Sequence, residues 1–96
     1  MKVTEIFNYE VKVMNEQNGF ILEARVRIDG DKVQNISNGT IKTEDGVMAS
    51  FDCWNESNLN FNVYDSSKTV QIITEILSFI EDVKTDEKLM TMLKSE

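Results

Sequence analysis

The sequence predicts an α+β fold, in which a five-stranded antiparallel β-meander is covered on one face by a C-terminal α-helix. Five segments between residues 7 and 64 alternate apolar and polar side chains, as half-buried strands do. Turn residues separate these segments, and connections this short favour antiparallel neighbours. After Asp65 the apolar spacing changes to the helical period, so we expect a two-layer domain with a short second helix at the tail.

Each predicted strand turns its apolar side chains to one face, with turns expected at residues 15–18, at Gly30 and at Gly46. In the third strand Ile36 has the opposite parity, so it either faces outward or marks a β-bulge. Phe51 is expected to lie over Gly39. The inward positions are Phe7, Tyr9, Val11, Val13, Phe20, Leu22, Ala24, Val26, Ile28, Val33, Ile41, Val47, Ala49, Phe51, Cys53, Leu59, Phe61 and Val63.

The main helix is predicted over residues 66–84, with Asp65, Ser66 or Ser67 as its N-cap. Its apolar arc covers about half of the helical wheel, so this face should pack on the sheet. The apolar residues further on fall outside the arc, which predicts a break and a short helix over 86–95, either packed on the core or exposed for a partner. We expect residues 1–96 to form one domain, with the meander over 1–65. The apolar arc contains Val70, Ile72, Ile73, Ile76, Leu77, Phe79, Ile80 and Val83.

The composition narrows the function classes. The formal net charge of −7 argues against binding to phosphate backbones and to anionic membranes. Histidine is absent, which removes the commonest general base and the Ser-His-Asp and Cys-His constellations. Cys53 is the one cysteine, so an internal disulfide is impossible, and a lone thiol fits a reducing compartment. We therefore expect a cytoplasmic, non-catalytic protein without membrane association, cofactor or metal.

One candidate binding patch lies on the outward face of the predicted sheet. The expected registers place Asn8, Arg25, Ile36 and Trp54 in one row, with Asn58 at its rim. Tryptophan and arginine are over-represented among residues that carry binding energy, and they stack on each other. The same row could instead be a cross-strand Ile–Trp pair, covered by arginine, that stabilises the sheet without a partner.

A second row on this face is acidic. The predicted registers bring Glu10, Glu23 and Asp52 together, with Glu10 directly opposite Glu23. Like charges in that position are unfavourable unless a cation lies between them, and Lys12 and Arg25 are near enough to serve. A divalent metal or paired-carboxylate chemistry would also use such a row, but no calcium-loop spacing supports the first and a flat sheet argues against the second.

Three function classes remain. The first is a protein-interaction domain that binds another protein, or itself, through the outward sheet face or an edge strand. The second is an acidic inhibitor or nucleic-acid mimic of the kind found among small mobile-element proteins, which would bind a basic partner in a salt-sensitive way. The third is a small-ligand carrier or enzyme with a pocket between helix and sheet. The order of elements is similar in topology to that of several acidic binding proteins, including the export chaperone SecB.

Overall fold

The computed structural model describes residues 2–7, 10–29, 32–55, 57–64 and 66–86. They form one antiparallel sheet, whose strands neighbour each other in chain order, followed by an α-helix, which confirms the α+β class. The predicted terminal helix lies outside the described residues except for Asp86, whose backbone is extended. The elements are β1 (Lys2–Phe7), β2 (Glu10–Gln17), β3 (Phe20–Asp29), β4 (Lys32–Thr43), β5 (Gly46–Trp54), β6 (Asn58–Val63), a 3₁₀ turn (Ser66–Lys68) and α1 (Thr69–Thr85).

The predicted number of five strands is wrong, because the sheet has six. The additional strand is β1, which pairs with β2 through Val3 opposite Val13 and Ile6 opposite Val11. Val3 and Ile6 have opposite parity, yet both pair with odd-numbered residues of β2, because the register shifts between Val3 and Glu5. This bulge breaks the alternation along β1, and so the strand has no period-two signal in the sequence.

The turn between β2 and β3 is tighter than predicted. Gln17 pairs with Phe20, which leaves a two-residue loop of Asn18 and Gly19 with φ of +51° and +85°. Asn-Gly is the preferred pair for this kind of hairpin, because both residues tolerate positive φ. The predicted turn over residues 15–18 is therefore wrong, and the partners of all β2 residues shift along β3.

A bulge in β4 decides the position of Ile36. The register between β4 and β5 shifts between Ile36 and Gly39, and Asn38 has a φ of +52°. Ile36 is fully buried and pairs with Cys53, so its outward placement is wrong and the bulge alternative holds. Asparagine tolerates the left-handed conformation that the bulge requires.

A second register shift reverses the facing of two residues at the start of β5. It lies between Ile41 and Lys42, which pair with Ala49 and Val47 respectively. Val47 is 48% exposed, so its predicted inward facing is wrong, and the intervening Met48, which is absent from the predicted inward positions, is buried instead. The remaining inward predictions among the described side chains of β2 to β5 are confirmed, for Val11, Val13, Phe20, Leu22, Ala24, Val26, Ile28, Val33, Ile41, Ala49, Phe51 and Cys53.

The helix packs mainly over β3, β4 and β5. At the centre of this layer Phe51 lies opposite Gly39, as predicted, and Phe79 meets the Phe51 ring edge-on with a centroid distance of 5.9 Å. A Cβ added to Gly39 would come within 2.6 Å of the Phe51 ring and of its backbone oxygen. Glycine is therefore required there by the close approach of Phe51.

The helix begins later than predicted and buries a narrower arc. Lys68 occupies the N-cap position and makes no side-chain capping hydrogen bond, so Ser66 and Ser67 do not fill that role. Ile72, Ile76, Phe79, Ile80 and Val83 are buried as predicted, but Val70 and Leu77 are exposed. No helix within the described residues is long and apolar enough to cross a membrane.

Glu75 is not part of the predicted apolar arc, yet it is only 6% exposed. Its Oε1 accepts a hydrogen bond from Asn18 Nδ2 at 2.7 Å, and its Oε2 accepts one from Gln17 Nε2 at 2.9 Å. Gln17 Nε2 also donates to the Glu75 backbone oxygen at 3.2 Å. These bonds fasten one flank of α1 to the β2–β3 hairpin. Leu77 lies about 200° further around the helix, on the flank turned away from that hairpin.

Candidate functional site

The outward face of β2, β3 and β4 carries a network of opposite charges. Glu23 Oε1 lies 3.1 Å from Lys42 Nζ, and Glu23 Oε2 lies 3.8 Å from Lys12 Nζ. Glu10 Oε2 lies 3.9 Å from Arg25 Nη1. All of these side chains are partly exposed, so each pair contributes at most about 1 kcal/mol to stability. The outward face of β2, β3 and β4 therefore carries both positive and negative side chains.

The predicted acidic row does not form. Glu10 lies opposite Arg27 and Glu23 lies opposite Met14, because the hairpin turns at Asn18 and Gly19. The expected Glu10–Glu23 contact is therefore wrong, and each carboxylate has basic neighbours. Asp52 lies three strands away from Glu10, on β5, where Asn60 Nδ2 donates to its Oδ1 at 3.3 Å.

The structure brings together two of the five residues predicted for the binding patch. Trp54 is 42% exposed and pairs directly with Asn58 across the β5–β6 ladder. Arg25 belongs to the charge network on β2 to β4. Ile36 is buried on the other face, and Asn8 lies outside the described residues. The predicted row is therefore not a continuous surface.

The neighbour of Trp54 on β4 is an asparagine. The pairing of Ile36 with Cys53 places Asn35 across from Trp54, and Asn35 Oδ1 accepts a hydrogen bond from the Asn55 N–H at 3.0 Å. Arg27 follows on β3, opposite Asn35. Two strand spacings, about 10 Å, separate the backbones of Arg27 and Trp54. Trp54 therefore has an asparagine, and not an arginine, as its cross-strand neighbour on β4, so the structure gives no direct contact for the predicted stacking.

The edge strand β6 has features that the predicted patch lacks. Among the described residues its one neighbour is β5, and their pairing runs without a register shift from Ala49–Val63 to Trp54–Asn58. Its sequence, Asn-Leu-Asn-Phe-Asn-Val, contains no charged residue and no proline. An edge of this kind is a template for pairing with another strand.

The phase of the ladder shows which backbone groups of β6 point to the open edge. The Tyr64 N–H donates to the Met48 oxygen at 2.8 Å, so the even-numbered residues of this strand bond to β5. The N–H and C=O groups of Leu59, Phe61 and Val63 consequently point away from β5. The Leu59 N–H already donates to the Ser57 oxygen at 3.2 Å, which leaves Phe61 and Val63 as the donors of the edge.

Apolar side chains accompany these backbone groups. Phe61 shares the inward face, as its pairing with Phe51 requires, yet it is 42% exposed because α1 lies mainly over β3 to β5. Leu59 and Val63 are partly buried against the core. We call the open edge of β6, together with the side chains of Leu59, Phe61 and Val63, the β6 edge surface. The sequence had predicted all three as core residues, and the absence of charge along the strand was the signal for an open edge.

No protein family, no curated protein and no solved structure matches this chain. Across the described part of the chain, no group of three or more acidic or cysteine side chains is placed to hold a metal ion. The layer between helix and sheet is filled by large buried side chains, among them Phe79, Leu22, Ile36, Ile41, Ile72 and Ile76. The β6 edge surface is therefore the feature on which a function can be argued.

Proposed function

We propose that this chain is a non-catalytic protein-interaction domain that binds an extended segment along the β6 edge surface. The observation that carries the proposal is the regular, uncharged and bulge-free ladder of β6, whose Phe61 and Val63 backbone groups point away from β5, its one neighbour among the described residues. In β-strand addition, main-chain hydrogen bonds supply affinity and alternate side chains supply specificity. Natural proteins usually protect such an edge with charge, proline or a bulge.

The side chains near this edge fit the same role. Phe61 offers an exposed ring on the helix side, where an added strand would place its own alternate side chains. On the outward side, Trp54 is the exposed aromatic anchor, and Asn58 lies between it and the edge. Arg25 lies on β3, three strands from β6, where it pairs with Glu10, and Ile36 is buried.

The acidic-mimic alternative is less well supported, since Glu10 and Glu23 are paired with Arg25, Lys12 and Lys42. Its remaining basis is the net charge of −7. Binding of a strand at the β6 edge surface depends on hydrogen bonds and apolar contact, so it should persist at salt concentrations that screen exposed charges. Persistence of binding at high salt therefore separates the two alternatives.

A photo-cross-linking amino acid at position 61 tests the proposal. Position 47 is the matched control, because Val47 is also on a strand and is 48% exposed against 42% for Phe61. We expect irradiation in a lysate of the source cells to produce defined adducts from position 61 and none from position 47. The partner peptide in each adduct should be an extended segment, identified by mass spectrometry. Equal labelling from both positions, or none from position 61 at any salt concentration, would contradict an interaction at this edge.

A further inference from the structure

The sequence of β6 is complementary to itself in an antiparallel pair. When Phe61 lies opposite Phe61 of a second copy, Asn60 faces Asn62 and Leu59 faces Val63. Every apolar side chain of β6 then faces an apolar one on the helix side, while on the outward side Asn60 faces Asn62 and Asn58 faces Tyr64. This match is what a two-fold interface requires, because the same patch must serve both partners.

The backbone of β6 is in the correct phase for that pairing. The edge donors are the N–H groups of Phe61 and Val63, and the C=O groups of Leu59 and Phe61 point the same way. Phe61 would exchange two bonds with its counterpart, and Val63 of each copy would donate to Leu59 of the other. A register centred on Asn60 has the same backbone phase, but it would place Val63 opposite Ser57, whose carbonyl oxygen already accepts the Leu59 N–H.

Charge also favours β6 as the meeting point of two copies. Each chain carries a net charge of −7, so two copies repel wherever acidic surfaces meet. Residues 58–64 are uncharged. Asp52, on β5, would lie three strand spacings, about 14 Å, from its counterpart, which exceeds the screening length of about 8 Å at physiological salt.

The helical layer leaves room for the second copy. Because α1 lies mainly over β3 to β5, two sheets joined at β6 would carry their helices on the same face without placing either over the junction. The two Phe61 rings would sit side by side there, since paired residues in this phase have Cα atoms about 5.5 Å apart. Aromatic pairs at such separations attract each other beyond simple area burial.

We infer that the β6 edge surface takes a second copy of this chain, paired antiparallel about a two-fold axis at Phe61 to form one continuous twelve-stranded sheet. The inference rests on the proposed function, because it names the occupant of the same surface.

Sedimentation of the full chain over a range of concentrations tests it. We expect the mass to rise from 11.0 kDa to twice that value. Phe61→Lys should weaken dimerisation at least tenfold, because it places two ammonium groups side by side at the axis. Val47→Lys makes the same change of charge at a comparably exposed strand residue and should dimerise as the wild type does. A wild type of 11.0 kDa at every concentration, or an undiminished Phe61→Lys dimer, would overturn the inference.

A cysteine scan reads the register and does not depend on how Phe61→Lys folds. In a Cys53→Ser background, single cysteines at positions 60, 61 and 62 are oxidised gently and resolved on a non-reducing gel. Only position 61 lies opposite itself, within the Cα separation that a disulfide allows. We therefore expect at least tenfold more cross-linked dimer from position 61 than from position 62. Strongest cross-linking at position 60 or 62, or none at any position, would exclude this pairing.

The two proposals fail in different ways. A chain that stays monomeric but cross-links from position 61 to an extended segment of another protein would refute the self-pairing and retain the interaction domain. A chain that is monomeric and gives no adduct from position 61 would refute both. A dimer whose mass is unchanged in Phe61→Lys and which cross-links from position 47 would place the interface elsewhere.

Discussion

The two edges of the sheet differ in how they are protected. β1 contains Lys2 and Glu5 within six residues, and its ladder with β2 is broken by a bulge after Val3. β6 is equally long, carries no charge and pairs with β5 in unbroken register. Charges and bulges are the usual means by which natural sheets prevent edge-to-edge association. Of the two edges within the described residues, β1 therefore carries both of these protective features and β6 carries neither.

The position of the helix reinforces this asymmetry. Glu75 ties one flank of α1 to Gln17 and Asn18, at the hairpin on the β1 side of the sheet centre. The layer consequently leaves β6 partly uncovered, so that Phe61 has a core-facing orientation and a surface-like exposure. The asymmetry between the edges therefore comes from both the strand sequences and the anchoring of the helix.

The largest effect is expected from a substitution at the centre of the sheet, between the two edges. In Gly39→Ala the new Cβ would overlap the Phe51 ring and its backbone oxygen, both at 2.6 Å. Because the clash includes backbone, a rotamer change cannot relieve it, and we expect a loss of about 2 to 3 kcal/mol in the free energy of unfolding. The melting temperature should fall by about 10–20 °C.

The adjacent residue supplies the control for that measurement. Asn38 has a φ of +52°, a conformation that glycine adopts without penalty, so Asn38→Gly should change stability by less than about 0.5 kcal/mol. Urea unfolding of the two variants compares them directly. Equal stability of Gly39→Ala and the wild type would mean that β4 and β5 can separate at this point, and the description of the sheet centre would then be wrong.

Much of the fold could be predicted from the sequence, because most strands bury one face and leave the other in water. The inward residues of β2 and β3 followed from alternation alone, and the Phe51–Gly39 contact followed from the Gly46 turn. Alternation failed to predict the facing of Ile36 and Met48 and the existence of β1, because each lies at or beside a β-bulge. One inserted residue reverses the parity of a strand without any change in composition.

The site was harder to predict because a surface row depends on several registers at once. The misplaced β2–β3 turn alone replaced an expected Glu10–Glu23 repulsion with attraction to Arg25 and Lys12. The exposure of Phe61 depends on where the helix lies, which no local pattern encodes. What the sequence did contain was the uncharged composition of β6, and this signal becomes informative only once β6 is known to be an edge.

A smaller effect is expected from removing the anchor that turns the helix toward the β2–β3 hairpin. Glu75→Ala removes the carboxylate that accepts from Gln17 and Asn18 and leaves Gln17 only its bond to the backbone oxygen of residue 75, so we expect a loss of about 1 to 2 kcal/mol in urea unfolding. Glu75→Gln should lose less, because its amide can still pair with either side chain. Glu81, exposed on the same helix, provides the control, and Glu81→Ala should stay within about 0.5 kcal/mol of the wild type. Equal losses at both positions would show that the buried carboxylate does not anchor the helix.

The smallest expected effect is also the most direct comparison of the two edges, and hydrogen exchange followed by NMR measures it. At low concentration the amides of Phe61 and Val63 should exchange at least about tenfold faster than those of Asn60 and Asn62, because only the latter bond to β5. Raising the concentration should slow the first pair and leave the amides of β1 unchanged, since only the open edge gains a partner. Slow exchange at Phe61 and Val63 in dilute solution would mean that another segment of the same chain covers β6, and concentration-dependent protection along β1 would remove the distinction between a shielded and an open edge.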